Sequence, residues 1–184
     1  LADYAALLAL VDIVTPNSTE LLRLTGSVDH SREGIFAAVQ TVLAAGAKAV
    51  LITGIDAAQL DLKDSDGQCY RQADPPLVDW YLSPRAFSVE GDEVTDDVIV
   101  DETDPEQQLA PSFMLLHSRL PWSAHGTGCH LAAALAVGLA SGWRRYDSVV
   151  LAVANTLVSL AAASRRVSGY QQLFATDVRH RMFE

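Results

Sequence analysis

The chain has 184 residues, 23 of them acidic and 13 basic, for a formal net charge of −10. Nearly half is apolar (49%) and 20% is charged, which excludes a disordered acidic tail and allows one domain with a sizeable core. The acidity also argues against a nucleic-acid binder and against a polybasic membrane-surface protein.

The chain opens at Leu1 without a basic n-region, so no signal peptide is expected, and the missing initiator Met suggests a processed, trimmed or partial chain. Leu1 to Leu10 has helical composition. It leads into Val11-Asp12-Ile13-Val14-Thr15, a β-branched run that predicts a strand ending at Pro16. Asn17-Ser18-Thr19-Glu20 then opens a short helix that should stop at Gly26. Ser31 is an expected N-cap for the next helix, whose apolar face is Ile35, Val39, Val42 and Leu43, with Gly46 at its end. Ala49-Val50-Leu51-Ile52-Thr53 follows as an apolar strand closed by Gly54. This alternation of strands and helices predicts an α/β sheet of parallel strands.

The middle of the chain has a different character. Gln59–Lys63 and Gln68–Arg71 flank Asp64-Ser65-Asp66-Gly67, which predicts a hairpin with Asp-Gly at its tip. Residues 73–113 hold five prolines and an acidic block from Glu90 to Glu106, with nine acids and no Lys or Arg. Outside that block acids and bases nearly balance, so the acidity belongs to one segment. Val98-Ile99-Val100 is a candidate short strand within it. Phe113–Leu120 returns to strand character and leads into His125-Gly126-Thr127-Gly128-Cys129. Two apolar runs follow, 131–142 and 149–163, separated by Arg144, Arg145 and Asp147. Both fall short of the roughly 20 residues that span a bilayer, so they predict buried helices. Their faces are Leu131/Leu135/Leu139 and Val149/Val153/Leu157/Leu160.

Three places could carry chemistry. Gly126-Thr127-Gly128-Cys129 opens a long helix after a strand. Its glycines bring N–H groups close to a ligand, and the helix end adds unpaired donors and partial positive charge, as a phosphate requires. A thiol there can accept a proton or act as a nucleophile. A glycine turn for close packing, with Cys129 a small buried residue, explains the same letters. Asn17 and Glu20 could organise a hydrated Mg²⁺, which one or two carboxylates usually hold. Asn at the N-cap with Glu three positions later is equally a capping box. Thr53-Gly54 ends an apolar strand, where α/β sheets collect ligands, or is an ordinary strand exit. Cys69 and Cys129 lie in no metal-ligand spacing, so neither a zinc site nor a disulfide framework is expected, and a reducing, cytoplasmic setting fits. His125 and His130 flank the glycine turn and one could pair with Cys129. His30, His117 and His180 are scattered and read as surface or core fillers.

Together these segments resemble a known family. Thr15-Pro16-Asn17-Ser18-Thr19-Glu20-Leu21-Leu22 with Leu24-Thr25-Gly26 is similar to a motif of the vitamin-kinase branch of the ribokinase superfamily. Ala49–Gly54 resembles that family's next strand. His125-Gly126-Thr127-Gly128-Cys129 is similar to the signature of hydroxymethylpyrimidine/phosphomethylpyrimidine kinases. Sugar kinases and many pyridoxal kinases carry Asp where Cys129 stands. The resemblance covers roughly residues 1–62 and 116–165.

The resemblance implies a ribokinase-like three-layer α/β/α sandwich with a mostly parallel sheet, incomplete at its amino-terminal end. Residues 1–184 would form a single domain with an acidic insertion near 73–113. It implies an ATP- and Mg²⁺-dependent kinase of thiamine biosynthesis that phosphorylates hydroxymethylpyrimidine and then its monophosphate. Gly126, Thr127 and Gly128 would form the anion hole, and Cys129 would be the base for the substrate hydroxyl. Asn17 and Glu20 would hold Mg²⁺ through water. Thr53 and Gly54 would lie near the nucleotide phosphates, with Val153 and Leu157 on the helix that walls the adenine. The partner would be a pyrimidine or pyridine alcohol, with no nucleic acid or membrane involved and room for a homo-oligomer. Pyridoxal kinase and a non-catalytic nucleotide-binding relative are the alternatives. A Cys129 acyl-transfer nucleophile lacks an orienting carboxylate in sequence. The chain departs from the family at Ile55, where a second glycine is usual, and at His130, where Thr is usual. It also lacks the amino-terminal glycine-rich substrate motif.

Overall fold

The computed structural model describes residues 4–63, 67–70, 76–83, 112–120 and 126–163. The chain divides into two compact units, Leu1–Arg119 and Leu120–Glu184.

The first unit begins with the short helix α1 (Ala5–Leu8), whose Leu8 is buried. Helix α2 (Ser18–Thr25) follows and turns out at Gly26. Helix α3 (Arg32–Ala44) starts where expected, because the Ser31 hydroxyl accepts the Gly34 N–H at 3.1 Å. Its buried face holds Gly34, Ile35, Ala38, Val39 and Val42, while Leu43, expected on it, is half-buried.

Strand β1 (Val50–Asp56) extends the expected apolar run by three residues. A 3₁₀ turn over Ala57–Leu60 follows directly. Strands β2 (Leu77–Leu82) and β3 (Ser112–His117) complete a sheet of order β1-β2-β3. Both pairings are antiparallel. The α/β class holds, but the expected parallel direction applies to only one edge. There, the segment after α1 runs parallel to β1 through isolated bridges at Val14–Val50 and Asn17–Thr53. The expected strand over 11–15 is reduced to these bridges. Pro16 between them has no N–H and supplies only a carbonyl, which accepts the Thr53 N–H at 3.0 Å. The alternation of helix and strand ends at β1. Antiparallel neighbours need no helical crossover, which is why the pattern misleads beyond that point.

The core is built from α1, α2, α3, β1 and β2. Leu21, Ile35, Val39, Val42, Val50, Ile52, Ile55, Leu60, Val78 and Leu82 are all fully buried within it. Each such side chain contributes about 1.5–3 kcal/mol relative to exposure. Phe36 of α3 stacks on Trp80 of β2 with ring centroids 6.1 Å apart. The Trp80 indole N–H donates to Ser112 Oγ at 2.7 Å, so the buried ring keeps its polar handle satisfied. On the opposite face of the sheet Tyr81 stacks on Phe113 at 4.9 Å.

The expected hairpin around 64–67 is present in its flanks. Lys63 and Cys69 form an antiparallel bridge, and the Tyr70 N–H donates to the Leu62 carbonyl at 3.1 Å. Gln59 and Leu60 belong to the 3₁₀ turn instead of the hairpin. The candidate strand at 98–100 and the acidic block lie outside the described residues.

The second unit contains helices α4 (Thr127–Ala140) and α5 (Arg145–Ala163), which pack on each other. The buried side of α4 is Leu131, Leu135 and Gly138. That of α5 is Ser148, Val149, Ala152, Val153, Thr156 and Ser159, so Leu157 and Leu160 are only half-buried. The face expected from apolar letters alone misses three hydroxyl residues. Two of them return a hydrogen bond to their own helix, Ser148 Oγ to the Arg144 carbonyl at 3.0 Å and Thr156 Oγ1 to the Ala152 carbonyl at 2.8 Å. That removes the cost of burying them. Among the described residues no helix is long and apolar enough to cross a membrane.

Candidate functional site

In the first unit the fold sets two of the sequence motifs side by side. The parallel bridge between Asn17 and Thr53 puts the start of α2 against the irregular part of β1. Asn17 and Glu20 form a complete capping box. Asn17 Oδ1 accepts the Glu20 N–H and Glu20 Oε2 accepts the Asn17 N–H, both at 2.9 Å. The capping explanation of this pair is therefore realised. It leaves the carboxylate solvent-exposed, with acceptor capacity beyond the one bond it makes. Among the described residues no cluster of three or more His, Cys, Asp or Glu could ligate a metal directly. The donor set fits a hydrated Mg²⁺ held through water by one carboxylate, and does not fit a dehydrated ion.

Thr53 and Gly54 lie where β1 loses register with β2. Ile52 faces Trp80 and Ile55 faces Val78, so two residues of β1 stand opposite Asp79 alone. This is a β-bulge, a device that bends a strand and re-aims its backbone. Gly54 adopts φ +66, and a side chain there would meet nothing within 4 Å. The requirement for glycine is thus one of backbone conformation and not of space. The turned-out Gly54 N–H donates to Asp79 Oδ1 at 2.8 Å.

Asp79 is a buried acid, 6% exposed, in an otherwise apolar strand. Its other oxygen, Oδ2, lies 3.4 Å from His117 Nε2 on β3. The two residues are diagonal neighbours, since Asp79 pairs with Leu115 and His117 with Leu77. Contact with the Asp79 carboxylate raises the His117 pKa above its ordinary value. Burial opposes the rise, while the Asp79 charge and the Ser118 carbonyl add to it. Neither residue stands out in sequence, and His117, expected as a surface or core filler, is half-buried against this acid. The available signal was the single acid in Leu77–Leu82, because a buried charge needs a partner.

In the second unit Gly126 is the N-cap of α4 at φ +90, a left-handed conformation that no other residue type adopts readily. Among the described residues no side chain caps this helix end, and a Cβ on either Gly126 or Gly128 would meet nothing within 4 Å. Backbone N–H groups at such a helix start suit an anion. Cys129 is exposed on that turn, which corrects the idea of a small buried thiol. His130 is half-buried, and its Nε2 has no hydrogen-bond partner among the described residues, so it is not bonded to Cys129 through that atom. His125 lies outside the described residues. Val153 is buried and Leu157 half-buried on α5.

Residues 2–76 match the family model for phosphomethylpyrimidine kinase. No curated protein matches. Among solved structures, the pyridoxal kinase of Staphylococcus aureus is 20% identical with a TM-score of 0.62, over 96% of this chain and 52% of that one. Complexes of that enzyme hold AMP-PCP, ADP or pyridoxal. The pyridoxal kinase of Entamoeba histolytica is 17% identical with a TM-score of 0.62, over 99% and 50% of the two chains. A candidate phosphomethylpyrimidine kinase from Bacteroides thetaiotaomicron is 14% identical with a TM-score of 0.64, over 100% and 51%. The likeness to the phosphomethylpyrimidine kinase family is thus borne out over residues 2–76, and the α/β fold is shared with these solved structures. The chain spans about half the length of the structures it matches.

Proposed function

We propose that this chain is the nucleotide-binding portion of an ATP-dependent kinase for a small heteroaromatic alcohol. The substrate in this reading is hydroxymethylpyrimidine or its monophosphate, in thiamine biosynthesis, in the cytoplasm. Residues 1–184 form one ribokinase-like domain with an insertion near 73–113. The observation that carries the reading is the Asn17–Thr53 bridge, which joins two motifs of one family at the mouth of one strand.

The chemistry follows from phosphoryl transfer, which rests on positioning and charge neutralisation more than on covalent steps. Gly126, Thr127 and Gly128 present N–H donors to the transferring phosphoryl oxygens. Cys129 takes the proton of the substrate hydroxyl as its oxygen bonds to phosphorus and the bond to the leaving ADP oxygen breaks. Thr53 and Gly54 orient the nucleotide phosphates. Val153 and Leu157 lie on the helix that walls the adenine. Asn17 and Glu20 would hold Mg²⁺ through water, and the ion would neutralise phosphate charge when bound.

The test is ATP turnover by the intact protein with hydroxymethylpyrimidine, its phosphate and pyridoxal as acceptors. Phosphorylation of the pyrimidines ahead of pyridoxal is expected. Preference for pyridoxal would move the assignment to a pyridoxal kinase, a reading supported by the two pyridoxal kinases of similar fold. Nucleotide binding without transfer to any acceptor would make the chain a non-catalytic relative. Ile55, fully buried where the family has a second glycine, is the feature that favours that outcome.

A further inference from the structure

We propose that Asp79 is a positioning residue for the nucleotide turn, holding Gly54 in its ligand-facing conformation while His117 holds Asp79. The inference rests on the kinase reading for its ligand, and on the sheet geometry for everything else.

Three observations carry it. First, Gly54 is not held by the regular ladder. The register between β1 and β2 breaks between Ile52 and Ile55, so the ladder leaves the Gly54 N–H without a strand partner. That N–H is taken instead by Asp79 Oδ1 at 2.8 Å. Second, a carboxylate is an improbable choice for this position if only packing mattered. Its neighbours in β2 are Val78 and Trp80, both buried, and the acid itself is 6% exposed. A buried charge persists when it is paired, and the partners here are one backbone N–H and one imidazole. Third, the imidazole comes from a different strand. His117 Nε2 stands 3.4 Å from Asp79 Oδ2 and His117 Nδ1 stands 3.3 Å from the Ser118 carbonyl. The imidazole is hydrogen-bonded through Nδ1, while its buried Nε2 makes no hydrogen bond among the described residues and approaches Asp79 at ion-pair distance. The raised His117 pKa agrees with this arrangement, since it means the charged ring is the favoured partner of the acid.

The result is a relay across three strands: β3 orients β2, and β2 orients the bulge of β1. Asp79 reaches the ligand only through Gly54. A loose turn would still bind phosphate, but in more conformations, and the loss would appear in nucleotide binding before it appeared in the transfer step.

The experiment compares Asp79→Ala, Asp79→Asn and His117→Gln in the intact protein. Two quantities are read: amide hydrogen exchange at Gly54, and the ATP dependence of turnover. Asp79→Ala should speed Gly54 exchange by about tenfold or more. It should raise KM for ATP about tenfold with a smaller change in kcat. Asp79→Asn keeps a carbonyl oxygen for the Gly54 N–H and should restore most of both, which a purely structural role for the charge would not. His117→Gln should fall between. If Asp79→Ala does not fold, His117→Gln decides the matter. Wild-type exchange and wild-type KM in Asp79→Ala, or in His117→Gln with an unchanged pH profile where the alanine variant does not fold, would overturn the inference. Failure of the unaltered protein to bind ATP would instead overturn the kinase reading and with it the nucleotide role of Asp79. Gly54 exchange reports the Asp79 contact separately in that event.

Discussion

Asn17 and Glu20 each satisfy the other's backbone N–H, so one pair of side chains starts α2 where Asn17 bridges to Thr53 and leaves an exposed carboxylate on its first turn. The two roles separate by mutation. Asn17→Ala removes an N-cap acceptor and should lower stability by about 1 kcal/mol, read by urea or thermal unfolding. Glu20→Gln retains an oxygen for the Asn17 N–H and should leave stability nearly unchanged. It removes the negative charge, so the Mg²⁺ concentration for half-maximal turnover should rise. An unchanged metal dependence would leave Glu20 with the cap alone.

Cys129 gives a second test. It is exposed at the start of α4, and substitution at an exposed site normally changes stability by less than about 0.5 kcal/mol. Cys129→Ala should therefore fold normally, lose turnover by about a hundredfold or more, and keep its nucleotide affinity. Equal losses in turnover and affinity would assign the thiol to shaping the turn.

His117 should make stability depend on pH in a defined direction. Its folded-state pKa is raised above the ordinary 6.5, chiefly by Asp79. The folded state therefore holds the proton more tightly than the unfolded chain. The resulting stabilisation is complete below the unfolded value and is lost as pH rises through the folded one. Among the described residues the charged group that meets it is Asp79 on β2. His117→Gln should lower the melting temperature most at acidic pH, with the gap to wild type closing as pH rises. A gap that widens with pH would reverse the assignment.

Gly138 sets how closely the second helix pair can approach. A Cβ there would lie 2.9 Å from Ser148 Oγ and 3.2 Å from the Trp143 ring. Gly138→Ala gains helix propensity, about 1 kcal/mol, but must displace Ser148, which is 1% exposed. Overpacking of about 1–3 kcal/mol should win, so the variant should unfold earlier. Pairing it with Ser148→Gly should recover the loss.

Elements fixed by local chemistry were legible in the sequence. The Ser31 and Asn17 caps, the end of α2 at Gly26 and the run Val50–Ile52 all depend on residues within a few positions of one another. What the sequence hid depends on pairing across distance. The direction of β2 and β3 follows from contacts such as Trp80 with Met114, which no local period encodes. Asp79 and His117 acquire their roles only once those strands pair. The buried hydroxyls of α5 were missed for another reason: Ser148 and Thr156 satisfy themselves on their own helix, so polarity stops predicting exposure.

The bulge at Thr53–Gly54 also resets the strand's phase. Val50 and Ile52 point into the core, and strict alternation would send Ile55 to the other side. The extra residue brings Ile55 back to the same core as Val50, Ile52 and Val78. Straightening β1 would eject a fully buried isoleucine as surely as it would undo the turn at Gly54. A single irregularity thus couples evolvability of the site to integrity of the interior. Variants that tune this turn will survive only where they preserve the odd count.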